Sequence, residues 1–347
     1  MNYSLLDKLT IIIFTYNRHK LLKRTIGYWL NYNVKLVILD GSDTKLVDPC
    51  LNSKNIKYIY DTRGLYERLA TSMNHVDTEF VILGCDDEFY LPSGLCSCIR
   101  FLTKEPDFSS CGGRALGFAN NKNKLLGIQA YPNLKDLCLD QNLAFDRIYN
   151  HFSIYVPAHF YSVIRSSKYE NIIKHVFEKK YNMYGISEMH LEFLVLVSGK
   201  SKIIPQLLWM RNKDVPQIAD GLPQISEKKW WFDKHYEDEK LDFIKRMKTA
   251  CDEISTDQNS KLSENEIGIL IELFISRPVF KKNPLKRIVN FFQIRKKMLT
   301  KFILGRDQIR FNSIIDKAKA LESQEVLVNY EELNKIISIL QNSKNKV

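Results

Sequence analysis

Apolar positions follow two rhythms along this chain, and the rhythm changes near residue 215. Residues 9–14 (LTIIIF) are a continuous β-branched run, the pattern of a strand buried on both faces. Residues 19–30 place Leu21, Leu22, Ile26, Tyr28 and Trp29 at helical spacing. Strands are predicted at 34–39 (VKLVIL), 56–60 (IKYIY) and 80–83, with helices at 65–74 and 92–102. Short strands alternating with helices predict a doubly wound α/β sheet. Residues 110–118 and 125–131 flank a turn-rich AlaAsnAsnLysAsnLys and predict a hairpin. Residues 159–165 (HFYSVIR) predict a strand, and 186–198 a helix with Gly199 as its C-cap. A last strand is predicted at 203–210 (IIPQLLWM), with Pro205 arguing against a central position. Beyond that, charged helices are predicted at 230–253, 263–276, 284–302 and 307–322. A boundary at 215–225 divides an α/β domain, 1–215, from a helical C-terminal region, 216–347.

Three polar clusters sit where predicted strands end: Thr15, Tyr16, Asn17 and Arg18; then Asp40, Gly41, Ser42 and Asp43; then Asp86, Asp87 and Glu88. Ligands of open α/β sheets bind at the carboxyl ends of the strands. All three clusters therefore fall on one predicted rim. The chain has no GxGxxG and no GxxxxGK[ST], so neither the dinucleotide nor the phosphate-loop pattern applies. Three adjacent carboxylates repel one another, so a bound cation or water has to offset them.

The net charge of +11 points to an anionic partner, with nucleic acid, anionic lipid and sugar nucleotide all open. Seven cysteines, an odd number without a CxxC pair, fit a reduced cytoplasmic protein and give no expectation of a zinc site. The first residues, MNYSLLDKLTIII, lack a basic n-region and a cleavage site, so no signal peptide is expected. No apolar run approaches the ~18 residues of a membrane span.

In order and spacing, IIIFTYNR (11–18), LDGSD (39–43) and GCDDEF (84–89) resemble the family-2-like GT-A glycosyltransferases. Those proteins carry ProThrTyrAsnArg after a first strand, AspGlySer after a second, and an Asp-X-Asp metal motif after a fourth. The resemblance covers residues 1–100 well and 100–215 loosely, and does not reach the C-terminal third. Two positions depart from it. Phe14 replaces the usual Pro, and Gly84 stands where the first Asp would fall. A subset of the family is similar to this chain in placing the acids later, as AspAspGluPhe.

The resemblance implies a Rossmann-like mixed sheet flanked by helices, the GT-A fold. It implies transfer of a sugar from a nucleotide-sugar donor to a glycan or lipid-linked acceptor, with inversion. The implied metal is Mg or Mn, held by Asp86, Asp87 and Glu88, with Asp86 also near the nucleotide; the rival reading is a solvated acidic turn. Thr15, Tyr16, Asn17, Arg18, Asp40 and Ser42 would meet base and ribose, although AspGlySer also forms an Asx-turn readily. Arg63, Arg68 and Ser72 would lie near the nucleotide, and Arg211, with Arg114 behind it, near the diphosphate; each is equally a surface arginine. Glu188 is the implied catalytic base, and a Glu in a first helical turn is also favoured by the helix dipole. His190 is either a further metal or phosphate contact or a structural histidine. Two other functions stand beside this one. A nucleotidyltransferase would want a Gly-rich, Lys-bearing loop after the first strand, which the chain lacks. A non-catalytic partner in a glycan-assembly complex would explain Gly84.

Residues 280–306 hold nine Lys/Arg and no Asp or Glu. Leu285, Ile288, Val289, Phe292, Leu299, Phe302 and Ile303 fall largely on one helical face. Such a segment reads as an anchor on an anionic membrane surface, the inner face of the plasma membrane, or as a helix packed on the catalytic domain. No nucleic-acid module is present.

Overall fold

The computed structural model describes residues 3–121, 124–157, 159–183, 185–214, 225–255, 261–277 and 313–342. Its first strand, β1 (Leu9–Thr15), lies between two parallel neighbours, β2 (Lys35–Asp40) and β4 (Phe80–Cys85). β3 (Ile56–Tyr60) extends the parallel group beyond β2. The run LTIIIF is apolar throughout because β1 is buried on both faces. α1 (His19–Trp29) buries Leu22, Ile26 and Trp29, the stripe its spacing predicts.

The sheet then turns mixed. After β4 come β9 (Val163–Arg165), β6 (Phe108–Asn121), β10 (Lys200–Asn212) and β5 (Phe89–Tyr90) in spatial order, giving ten strands with β7 (Lys124–Gln129) and β8 (Cys138–Leu139). β9 is antiparallel to both β4 and β6, and β10 is parallel to β6. β6 and β7 form the expected hairpin. The mixed sheet flanked by helices is the GT-A-like architecture.

Three elements of the first 215 residues differ from expectation. The helix expected over 65–74 ends at Ala70 as α2 (Leu65–Ala70), and a 3₁₀ turn, Ser72–His75, follows. Thr71, between them, bonds its hydroxyl back to the Arg68 carbonyl at 3.0 Å. The strand expected over 159–165 shortens to β9, because the amides of His159 and Phe160 are taken by the Glu192 carboxylate. The last strand is interior despite Pro205, with β6 on one side and β5 and β8 on the other. Pro205 sits in a bulge where the register against β6 slips between Ile203 and Leu207. There the chain pairs with Leu327 instead: Leu327 N donates to Pro205 O and Leu207 N to Leu327 O, both at 2.9 Å.

α3 (Pro92–Lys104) packs on the sheet, and α4 (Ala144–Ile154), α5 (Ser166–Val176) and α6 (Ile186–Ser198) form a helical layer. The helix expected over 230–253 is two, α7 (Glu227–Phe232) and α8 (Glu237–Ile254), with Asp233 capping the turn between them. α8 and α9 (Glu264–Ser276) cover α4, α5 and α6 through Phe243, Met247, Ile267 and Phe274. α10 (Ile314–Glu322) packs on β7, and α11 (Tyr330–Asn342) on α1. The basic segment 280–306 and the helix expected over 284–302 lie outside the described residues. Among the described residues, no helix is long and apolar enough to cross a membrane.

Candidate active site

The parallel register sets Thr15 beside Asp40 and Phe14 beside Cys85, so the three polar clusters leave the sheet at one level. They then bond to one another. Thr15 Oγ1 donates to Asp86 Oδ2 at 2.6 Å, and Thr25 of α1 donates to the Asp86 carbonyl at 2.7 Å. Arg18 Nη2 lies 2.7 Å from Asp86 Oδ1 and 2.8 Å from Asp87 Oδ2. Both contacts are ion pairs without hydrogen-bond geometry, since Arg18 Nη2 is buried without a hydrogen-bond partner. Arg24 donates to the Asp87 carbonyl at 3.1 Å.

Asn17 has a left-handed backbone, φ 53°, which Asn tolerates better than most residues. That conformation lets its amide bond Ser42 Oγ at 2.8 Å, while its side chain exchanges two bonds with Asp43, at 2.9 and 3.0 Å. Tyr16 is exposed and donates to Asp43 at 3.3 Å. Asp40 is buried; Ser42 N, Tyr58 OH and His19 Nε2 surround its carboxylate at 2.9, 2.6 and 2.8 Å. Burial alone would raise its pKa, and the bonds from Ser42, Tyr58 and His19 hold it below the usual value.

Arg68 lies beneath this rim. Its guanidinium donates to the carbonyls of Thr15 and Leu39 at 3.1 and 2.9 Å, and its Nε to Arg63 O at 3.1 Å. A Cβ on Gly41 would stand 2.3 Å from Arg68 Cζ, so any larger residue there requires the guanidinium to shift. Arg63 is exposed and paired with Asp61, and Ser72 is buried beside Tyr169.

Glu88 turns toward β10. Trp209 Nε1 donates to its Oε2 at 2.7 Å, and Arg211 Nε stands 3.7 Å from its Oε1. Burial, then the neighbouring Asp87, pushes the Glu88 carboxyl up to about 8; burial pushes Asp86 up to about 6 against the pull of Arg18. A Cβ at Gly84 would stand 3.1 Å from Ile11 Cγ2 and 3.5 Å from the Tyr90 ring. That position faces apolar neighbours, where a carboxylate would be without a partner. Tyr161 stacks on Trp209 at 3.9 Å and Tyr131 at 5.3 Å, with the Arg211 guanidinium 5.2 Å from the Trp209 ring. Lys213 stands over Tyr131, its ammonium lowered to about 8 by burial and by Arg211. Arg114 is buried in β6, where burial lowers its pKa against the opposing pull of Asp136.

Glu188 opens α6 after Gly185, whose φ of 79° suits glycine. It is half-buried and accepts the Tyr155 hydroxyl. Burial pushes its carboxyl up to about 7, with Glu192 adding and Tyr155 and Arg277 opposing. His190 is buried against Phe243 and held neutral, its pKa pushed down to about 3 by burial.

Sequence reasoning missed His19, Thr25, Tyr58 and Trp209, which join the clusters only in three dimensions. It also missed a buried group of His151, His159 and Glu192. The available signal was Glu192 itself, a lone acid in the apolar run LEFLVLV.

The acidic run has the donor set a hard divalent cation takes, carboxylate oxygens. Asp86 Oδ1 is buried with a spare lone pair, and Asp87 Oδ2 stands on the other side of Arg18 Nη2. Asp86 and Asp87 thus supply donors of that kind around the point that Arg18 Nη2 takes, whereas Glu88 is turned to Trp209.

Among solved structures, the chain is similar to S. aureus TarS 1-349, at a TM-score of 0.50 and 13% identity, covering 80% of this chain and 73% of that one. The same protein in complex with UDP-GlcNAc matches at a TM-score of 0.51 and 14% identity, over 78% of this chain and 72% of that one. Its complex with UDP matches at 0.50 and 12%, over 80% and 73%. At such identity the likeness shows the fold. No curated protein matches the chain in sequence. Residues 10–171, a stretch that contains all three rim clusters, match the family model Glycosyl transferase family 2.

Proposed function

We propose that this protein transfers a sugar from a nucleotide-sugar donor to a hydroxyl of a glycan or lipid-linked acceptor. The observation that carries the reading is the rim itself, where Thr15, Arg18, Asp40, Ser42, Asp86 and Asp87 converge within the stretch that matches the glycosyltransferase family. Asp40, Ser42 and the 15–18 loop would receive base and ribose. Asp86 and Asp87, with Glu88 beside them, would hold a magnesium or manganese ion, which when bound offsets the charge of the departing diphosphate. Arg18 and Arg211 would add fixed positive charge there. Glu188 would take the proton of the acceptor hydroxyl as its oxygen bonds to the anomeric carbon and the bond to the diphosphate breaks. A single in-line displacement of this kind inverts the anomeric centre.

In this reading residues 1–215 carry catalysis. Residues 216–347 serve the acceptor or the membrane, with the basic segment 280–306 resting on an anionic inner-face lipid surface. UDP sugars are the first donors to try, because TarS was solved with UDP-GlcNAc. Thermal shifts with UDP-, GDP-, CMP- and dTDP-sugars plus manganese would name the base through the stabilised complex. Donor hydrolysis with manganese would follow, for wild type and Asp87→Ala. Hydrolysis that survives Asp87→Ala would overturn the metal assignment. Neither binding nor turnover of any donor would favour a non-catalytic partner in glycan assembly.

A further inference from the structure

One buried carboxylate outside this scheme gathers three elements. Glu192 lies fully buried in α6. Its Oε1 accepts the amides of His159 and Phe160, both at 2.8 Å. Its Oε2 faces His151 Nε2 of α4 at 2.8 Å and His159 Nδ1 at 2.5 Å. The outer ring nitrogens, His151 Nδ1 and His159 Nε2, are buried with no hydrogen-bond partner.

What Glu192 holds leads to the candidate site in two directions. Next to the anchored amides, Tyr161 stacks 3.9 Å from Trp209, whose indole donates to Glu88 at 2.7 Å. On α6 itself, Glu188 stands one turn before Glu192 and takes the hydroxyl of Tyr155, the residue that follows α4.

We propose that Glu192 is a positioning residue for the transfer reaction, its charged carboxylate tying α4, the 159–161 loop and α6 together and so setting both the Tyr161–Trp209 stack and Glu188. This rests on the reading of Glu188 as the base. The groups facing Glu188 are Tyr155 after α4, Tyr161 of the loop, Arg277 after α9, Glu227 of α7 and Glu192. Glu192 and Glu227 disfavour its ionised form, whereas Tyr155 and Arg277 favour it.

Glu192→Gln tests the charge alone. Each imidazole has a second nitrogen free of partners, so a tautomer exchange can keep both ring contacts to the amide. The expected result is an acid limb of the kcat–pH profile displaced to lower pH, with donor KM unchanged. Glu192→Leu removes the acceptor for all four N–H groups and should cost about a hundredfold in kcat through misplacement. A carbon-13 NMR titration of Glu188 reads the same midpoint without turnover. If no donor is turned over, the functional reading fails while the NMR midpoint still judges Glu192. A Glu188 midpoint that Glu192→Gln leaves in place overturns the proposal. So does stoichiometric zinc in the purified protein, which would make the cluster a metal site. Should the Leu variant not fold, the Gln variant decides.

Discussion

Arg18 stands 2.7 Å from Asp86, a carboxylate with no exposed surface, and the same nitrogen reaches Asp87 at 2.8 Å. One cation thus offsets two of the three adjacent acids, and it comes from the loop that follows β1. Arg18→Met keeps most of the stem and leaves Asp86 buried with the Thr15 hydroxyl but without its ion-pair partner. Removing one member of a buried pair costs about 3–5 kcal/mol. Urea unfolding of wild type and variant reads the difference, and equal stabilities would mean that the acids are solvated.

Glu188 sets the pH dependence of the proposed reaction. Its carboxyl is pushed from 4.5 up to about 7, and only the ionised form accepts a proton. The rate should therefore rise with pH through about 7. The stability sign runs the other way: between these two values the folded protein holds a proton that the unfolded chain releases, so stability falls as pH rises across the window. Glu188→Gln should lower kcat by roughly 10²–10⁴ with little change in donor KM, and should flatten that slope. Steady-state kinetics and thermal melts from pH 5 to 8 check both; full activity in the variant would remove Glu188 from catalysis.

Gly41 and Arg68 form the support under the rim. In Gly41→Ala the new methyl would stand 2.3 Å from Arg68 Cζ, and the guanidinium would give up its bonds to Thr15 O and Leu39 O. Overpacking of this kind costs about 1–3 kcal/mol. Chemical denaturation should show that loss, with weaker nucleotide binding beside it. A variant as stable as wild type would mean that Arg68 moves aside freely.

Glu332 of α11 reaches the first turn of α3, accepting Ser93 N at 2.9 Å and Ser93 Oγ at 2.7 Å. α3 begins four residues after Glu88, so the C-terminal helix fastens the chain just past the acidic run. Glu332→Ala should cost about 1–2 kcal/mol, the range of a lost N-terminal cap. A melting temperature equal to wild type would mean that water replaces the carboxylate.

The first four strands, α1 and the hairpin were legible because each carries its own periodicity. Continuous β-branched runs announced β1 and β2, and the apolar stripe announced α1. β9 was overread because the apolar run 159–165 gives no hint that two of its amides serve Glu192. Pro205 misled for a related reason. A proline costs a strand one donor, and here the irregularity is taken up by Leu327, a partner far along the chain.

By itself the amino-acid sequence determined the first four strands, α1 and the hairpin, and which polar residues stand at the ends of those strands, because both follow from local spacing and side-chain chemistry. From that alone the rim of Thr15–Arg18, Asp40–Asp43 and Asp86–Glu88 could be drawn. Only the tertiary structure decided what each acid touches: Arg18 between Asp86 and Asp87, Trp209 on Glu88, Tyr155 on Glu188, and two histidines on Glu192. Those partners are distant in the chain, and a carboxylate's charge and protonation depend on burial and on neighbours within a few ångströms, which no local pattern records.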